Sequence, residues 1–198
     1  MYFADKLLYM SRIHIGPWFV LLWVLSIMIF PAKFIIAWVI AVVIHEFGHY
    51  IALKILGIKI FHVSFHFGRI NIHTEAMSPL QQIITAIAGP VAGALLSLIS
   101  FDMELVHIFA LIQTCCNLIP LYPTDGGRVV TGILKLLLKA DTASKVHSAI
   151  ETVTSWILLL AAVVVSASFH LGPWLLLGII FFLLKIKLSC KQERQEIQ

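Results

Sequence analysis

An apolar stretch with a charged centre, residues 38–53, constrains this chain more than any other part of its sequence. It lies within the longer apolar run of residues 33–56, and its middle is the pentapeptide His45-Glu46-Phe47-Gly48-His49. On a helix, residues four apart lie on one face about one turn from each other, so the two imidazoles can bind one metal ion. Glu46 lies roughly 100° around the helix from His45. It can therefore accept a proton from a water at the metal, but it is too far round to be a third ligand.

These histidines also have a simpler interpretation, which Glu46 argues against. A lone histidine on an apolar helix is more often a satisfied core residue than a metal ligand. A carboxylate near the middle of a membrane helix, however, costs about 2.5 to 3.5 kcal/mol on insertion scales and is seldom present without a function. The motif in its apolar setting therefore favours a zinc centre.

The composition identifies the chain as an integral membrane protein. It has 198 residues, of which 60% are hydrophobic and 12% charged, and its mean hydropathy is +0.98. Soluble domains have about 45–50% apolar and about 25% charged residues. No long polar segment divides the chain, so we expect a single membrane domain over residues 1–198. The chain has three cysteines, Cys115, Cys116 and Cys190. This odd and small number argues against a disulfide framework, and we expect them to be small buried residues.

The pattern of apolar runs predicts an all-α polytopic membrane protein with about six transmembrane helices. Pro31 separates the first two runs, and Gly57 ends the second. Residues 61–73 alternate with period two, which predicts a small membrane-associated β-hairpin with Gly68 in its turn between helices 2 and 3. Its histidines fit the polar face of that hairpin. The predicted spans are residues 13–32, 33–56, 79–100, 105–121, 149–168 and 171–188.

The distribution of basic residues predicts the orientation. Six spans place both termini on one side, and 13 of the 14 Lys and Arg fall on that side, with Lys33 as the exception. The positive-inside rule then makes both termini cytoplasmic. Because the net charge of +4 is explained by orientation, it does not indicate a nucleic-acid partner.

A catalytic zinc usually has three protein ligands and one open position, so a third deprotonable group is needed near the histidines. His49 lies about 10 Å from the cytoplasmic end of its helix at 1.5 Å per residue. The predicted span before Asp125 ends on the same side. The other acidic residues outside the central motif lie in tails, in or beside polar cytoplasmic loops, as Glu151 does, or on the opposite side. Prolines and the pair Gly126-Gly127 around Asp125 break the helix and allow close backbone approach. Asp125 is therefore the candidate for the third zinc ligand. Asp-Gly-Gly is also a common turn sequence, which is the alternative explanation for these residues.

Two motifs together carry a resemblance to a known family. The H-E-x-x-H helix is followed about 70 residues later by N-x-x-P-x-x-P-x-D-G-G, namely Asn117, Pro120, Pro123, Asp125, Gly126 and Gly127. This pair of motifs resembles the site-2 protease family of intramembrane zinc metalloproteases, peptidase family M50. Ala88-Gly89-Pro90 is similar to that family's third-helix motif. Residues 13–17, the Phe67-Gly68 turn and the six-span layout look most like the sporulation branch, stage IV sporulation protein FB.

The resemblance implies a fold, an activity and a set of site residues. It implies one Zn²⁺ per chain held by His45, His49 and Asp125, with Glu46 as the catalytic base. The substrates would be membrane-embedded or membrane-tethered proteins of a bacterial cell membrane, including a sporulation pro-sigma factor. Asn117 is a candidate for binding the substrate backbone or the oxyanion. Membrane inhibitor or activator proteins and homo-oligomers are left open as partners, besides the lipid bilayer itself.

The chain departs from the family pattern in two places. Thr124 stands where the family usually has Leu, directly before the candidate ligand. The sporulation branch also carries a cytoplasmic nucleotide-binding CBS domain after its last span, and residues 189–198 are too few for one. ATP-linked regulation by such a domain is therefore not carried over from the resemblance.

Two functions of other classes also fit parts of the pattern. A polytopic ion or solute transporter can use intramembrane His, Glu and Asp, but it does not require histidines at i and i+4 followed by a distant Asp-Gly-Gly. A catalytically inactive scaffold can keep a structural metal. Such a scaffold does not need Glu46, which argues against it.

Overall fold

The described part of the chain, residues 13–15, 17–66, 69–169, 177–180 and 183–184, is mainly helical in this computed structural model. The chain divides into two compact units, Met1–Thr114 and Cys115–Gln198. In chain order its elements are β1 (Ile13–Ile15), α1 (Pro17–Ile29), α2 (Ala32–Ile55), β2 (Ile60–His66), β3 (Arg69–Thr74), α3 (Pro79–Ile99), α4 (Glu104–Asn117), α5 (Asp125–Leu137) and α6 (Ala140–Phe169).

Helix α2 carries the histidine motif, and its two ends lie where the sequence predicts them. Pro31 precedes its first turn with an extended ψ of 142°. Gly57 follows its last turn with a φ of +69°, a left-handed conformation that glycine adopts without steric cost. The buried residues of α2 follow the i, i+3, i+4 spacing of one helix face: Ala37, Ala41, His45, Gly48, His49, Ala52 and Leu53.

The predicted β-hairpin is present as β2 and β3, which pair antiparallel with Val63 opposite Ile72. At its open end the backbone N–H of Glu75 donates to the Lys59 carbonyl at 3.1 Å, and the Lys59 N–H donates to a Glu75 carboxylate oxygen at 3.2 Å. The predicted turn at Gly68 lies outside the described residues.

The prediction that the first span begins at residue 13 was wrong. Residues 13–15 form strand β1, which pairs parallel with β2 and makes a three-stranded sheet of order β1-β2-β3. The helix that follows, α1, has 13 residues. A short apolar run fits either a strand or the start of a span, and pairing with a strand about 50 residues away in sequence has no local signature.

Helix α3 packs closely on α2 because small residues line both helices. It begins with a capping box in which Ser78 Oγ accepts from the Gln81 N–H and the Gln81 side chain accepts from the Ser78 N–H. It then continues through Pro90 to Ile99. A Cβ added at Gly48 of α2 would lie 2.5 Å from the Ala88 carbonyl oxygen and 2.7 Å from Ala92 Cβ. The two backbones therefore approach as small-residue helix pairs do in membranes.

The later helices differ from the predicted spans in length. The predicted span 105–121 is the 14-residue helix α4, and the predicted span 149–168 lies within the 30-residue helix α6. Cys115 and Cys116 are exposed, so their predicted burial was wrong, while Cys190 lies outside the described residues.

Three of the described helices are long and apolar enough to cross a membrane: Ala32–Ile55, Pro79–Ile99 and Ala140–Ser168. Large apolar side chains are exposed on them, as on a lipid-facing surface; examples are Val43, Phe47, Leu95 and Leu160. These helices support an integral membrane protein. The layout with about six spans stays a prediction, and most of residues 171–188 lies outside the described part.

Candidate metal centre

The two histidines of α2 lie side by side in the interior of the protein. His45 is 2% exposed and His49 is 6% exposed. Their Nε2 atoms are 3.3 Å apart, and the rings meet edge to face with centroids 4.9 Å apart. The i, i+4 spacing thus has the predicted result, because both imidazoles present the same nitrogen to one point.

A backbone carbonyl fixes the protonation of His49. Its Nδ1 lies 2.8 Å from the Thr85 carbonyl oxygen of α3. A carbonyl oxygen only accepts, so Nδ1 carries the proton and Nε2 of the neutral ring keeps its lone pair. Metal-binding histidines are commonly oriented by this kind of bond.

The separation of the two nitrogens fits zinc. Zn–N bonds of about 2.0–2.1 Å in a tetrahedral site place two ligand nitrogens about 3.3–3.4 Å apart. The observed Nε2–Nε2 distance is 3.3 Å. The histidine pair therefore matches two corners of a tetrahedral zinc site.

One glycine of α3 leaves room for the His49 ring, and a second leaves room for Thr114 of α4. A Cβ added at Gly89 would overlap the His49 imidazole. A Cβ added at Gly93 would lie 2.5 Å from Thr114 Oγ1 and 3.7 Å from His45 Nδ1. The glycine of Ala88-Gly89-Pro90 thus has a physical reason, since it lets a backbone lie against a ligand ring.

Gly89→Ala is expected to weaken zinc binding by at least about tenfold, because the new methyl group must displace the His49 ring from its bond to Thr85. The measurement is zinc release from the purified protein into a competing chelator. Val91→Ala, which removes carbons from an exposed side chain of the same helix, is the matched control. Equal zinc release from Gly89→Ala and wild type would contradict the close packing at His49.

Asp125 is held at the start of α5 by a capped turn. It is 6% exposed and is the first residue of the helix. Thr124 Oγ1 accepts from the Gly127 N–H at 3.4 Å. It lies 2.6 Å from the carbonyl oxygens of both Ile119 and Leu121, which share its single proton. A leucine at position 124 has no hydroxyl for these bonds, so the departure from the family pattern supplies an N-cap.

The pair Gly126-Gly127 was expected to break a helix, but it lies in the first turn of α5. A Cβ at Gly126 would overlap the Leu118 carbonyl, and a Cβ at Gly127 would lie 2.5 Å from the Tyr122 nitrogen. The pair therefore lets the incoming loop fold directly onto the start of the helix. Close backbone approach, the other part of the expectation, is confirmed.

The predicted ligands are all buried. Each of them could donate one atom to a metal ion: His45 and His49 of α2 an imidazole nitrogen, and Asp125 of α5 a carboxylate oxygen. Glu46 follows His45 directly and is half-buried, and Asn117, the last residue of α4, is half-buried as well. Donor chemistry and burial thus fit zinc, while the roles of the individual residues stay predictions.

Comparisons with known proteins bear on the fold. No protein-family model matches the chain, and a search of curated proteins finds no match. A solved structure titled "Site-2 Protease from Methanocaldococcus jannaschii" is similar to it, with a TM-score of 0.63, 24% sequence identity and coverage of 88% of each chain. At this identity the similarity shows a shared fold.

Proposed function

We propose that the protein is an intramembrane zinc metalloprotease that hydrolyses peptide bonds of membrane-embedded or membrane-tethered proteins. The observation that carries the proposal is the buried histidine pair, with Nε2 atoms 3.3 Å apart, on a helix long and apolar enough to cross a membrane. Glu46 follows in the same turn. The fold similarity to a protein titled a site-2 protease supports the proposal.

In the proposed site, His45, His49 and Asp125 hold one zinc ion per chain. Two neutral imidazoles and one carboxylate form a ligand set that catalytic zinc sites use, with one position left open. When bound, zinc supplies Lewis acidity, which polarises a carbonyl and lowers the pKa of water. Asp125 also neutralises part of the charge of the ion, which matters in an apolar environment.

Glu46 moves the proton in this proposal. Its carboxylate accepts a proton from the attacking water and returns it to the nitrogen of the leaving amine, as a general base and then a general acid. A carboxylate in an apolar helix has a cost, and proton transfer is a function that offsets it.

The substrate must be partly unwound before attack, because a transmembrane helix keeps its peptide groups hydrogen-bonded internally. We propose that an unwound segment adds to an edge of the three-stranded sheet, where β3 has β2 as its partner strand. Asn117 then hydrogen-bonds the substrate backbone or the oxyanion. Wild-type cleavage by Asn117→Ala would remove that role.

The specific substrate that we propose is a membrane-tethered pro-sigma factor, which the protein would process during sporulation. It rests on the resemblance of residues 13–17 and of the six-span layout to the sporulation branch. With both termini cytoplasmic, as the basic residues predict, the site lies toward the cytoplasmic face of a bacterial membrane.

The proposal is tested with purified full-length protein and a tagged, membrane-tethered peptide substrate in proteoliposomes. We expect cleavage that a zinc chelator abolishes and added zinc restores. A transporter would move ions without cleaving the peptide, and an inactive scaffold would bind zinc without cleaving it. Cleavage that continues unchanged after complete zinc removal would overturn the proposal.

A further inference from the structure

A polar network connects the segment around Asp125 to helix α6. Its side chains are Thr131 on α5 and His147 and Glu151 on α6, and all of them belong to the unit Cys115–Gln198. His147 and Glu151 are four residues apart on one face of α6. Neither is a candidate metal ligand, and the proposed chemistry does not use them.

Glu151 holds the loop before Asp125. Its Oε1 accepts a hydrogen bond from the Tyr122 backbone N–H at 3.0 Å. Tyr122 lies three residues before Asp125 and next to Leu121, which is 1% exposed. A carboxylate bonded to a backbone N–H is a strong, directional acceptor. The loop is therefore fixed by a side chain from another helix as well as by its own capped turn.

His147 holds the turn that follows Asp125. Thr131 Oγ1 donates its proton to the Gly127 carbonyl at 2.8 Å and lies 3.0 Å from His147 Nε2. Because the single hydroxyl proton is used, His147 Nε2 must donate to Thr131. His147 Nδ1 faces Glu151 Oε2 at 3.7 Å, too far for a hydrogen bond. The two side chains of α6 thus reach both sides of Asp125.

We infer that Glu151 is a positioning residue, assisted by His147, that holds Asp125 in the place where it binds zinc. The inference rests on the proposed function in one respect, the role of Asp125 as a ligand. The partners that orient metal ligands typically contribute about 10–100-fold to metal affinity. Glu151 acts through the backbone at Tyr122 and so contributes in the same way, one step further from the metal.

The test compares zinc release and thermal unfolding of the full-length protein. Glu151→Leu removes the acceptor for the Tyr122 N–H, whereas Glu151→Gln keeps an acceptor oxygen without the charge. Thr152→Val is the matched control, because the exposed Thr152 hydroxyl donates to the Ser148 carbonyl of its own helix. Zinc release into excess chelator is followed well below the unfolding temperature of every variant.

We expect Glu151→Leu to release zinc at least about tenfold faster than wild type, and Glu151→Gln and Thr152→Val to stay within about threefold. Cobalt-substituted Glu151→Leu should also show an altered visible absorption spectrum, which a change in stability alone would not produce. If Glu151→Leu does not fold, Thr131→Val, which removes the His147 contact, is expected to release zinc faster in its place.

Wild-type zinc release from Glu151→Leu would overturn the inference. Release from Glu151→Gln as fast as from Glu151→Leu would also overturn it, because the acceptor would then not be the cause. If Glu151→Leu does not fold, a wild-type rate of zinc release from Thr131→Val would overturn the inference instead. Failure of the proposed function can be distinguished from failure of this inference. In the former case the wild type itself would bind no zinc, or would bind it independently of Asp125.

Discussion

Glu46→Gln is expected to lower the rate of peptide-bond cleavage by about 10²–10⁴-fold, the contribution typical of a positioned general acid or base. The amide has nearly the shape of the carboxylate but cannot accept the proton of the attacking water. Because Glu46 is not a proposed ligand, zinc content should stay at the wild-type level. The measurement is single-turnover cleavage of a membrane-tethered substrate, with zinc content determined on the same samples.

The control for Glu46→Gln is Glu104→Gln, which makes the same chemical change at an exposed carboxylate in the first turn of α4. It should cleave at the wild-type rate. Equal cleavage by Glu46→Gln and wild type would show that another group moves the proton.

His49→Ala is expected to weaken zinc binding by more than about 100-fold. Removing a residue that only orients a metal ligand typically costs about 10–100-fold, and this variant removes a ligand itself. It removes a ligand and also leaves the Thr85 carbonyl without the bond from Nδ1. Cleavage should fall with zinc occupancy and be only partly restored by excess zinc. Zinc titration of the purified protein measures the effect.

His107→Ala is the matched control for this loss. Its Nδ1 also bonds a backbone carbonyl, that of Ser97 at 2.8 Å, so it removes an imidazole with a similar local bond. It should keep zinc and activity. Zinc affinity reduced equally in both variants would indicate a general effect of losing a histidine.

The parts of the fold that the sequence predicted have local causes. Pro31 and Gly57 bound α2 through backbone restrictions that each residue imposes by itself. The i, i+4 histidines meet because helix geometry brings them together, and alternating residues give the hairpin of β2 and β3.

The parts that the sequence did not predict depend on distant residues or on backbone atoms. Strand β1 exists through its pairing with β2. Thr85 contacts His49 through its carbonyl, a group that every residue has, so no residue type indicates it. The contact of Glu151 with the loop before Asp125 has no sequence signal either, because its partner is a backbone N–H about 30 residues earlier in the sequence. Gly89 lies in a motif that the sequence shows, but its close approach to the His49 ring results from the packing of α3 on α2.

The proposed zinc centre depends most on Asp125 as the third ligand beside the two histidines, and the zinc content of purified Asp125→Ala tests this role directly. After equal dialysis against a weak chelator, we predict about one zinc per wild-type chain, as three protein ligands allow, and far less in Asp125→Ala. Val129→Ala, a change on the same helix, should keep its zinc. Equal zinc in Asp125→Ala and wild type would contradict the proposed centre.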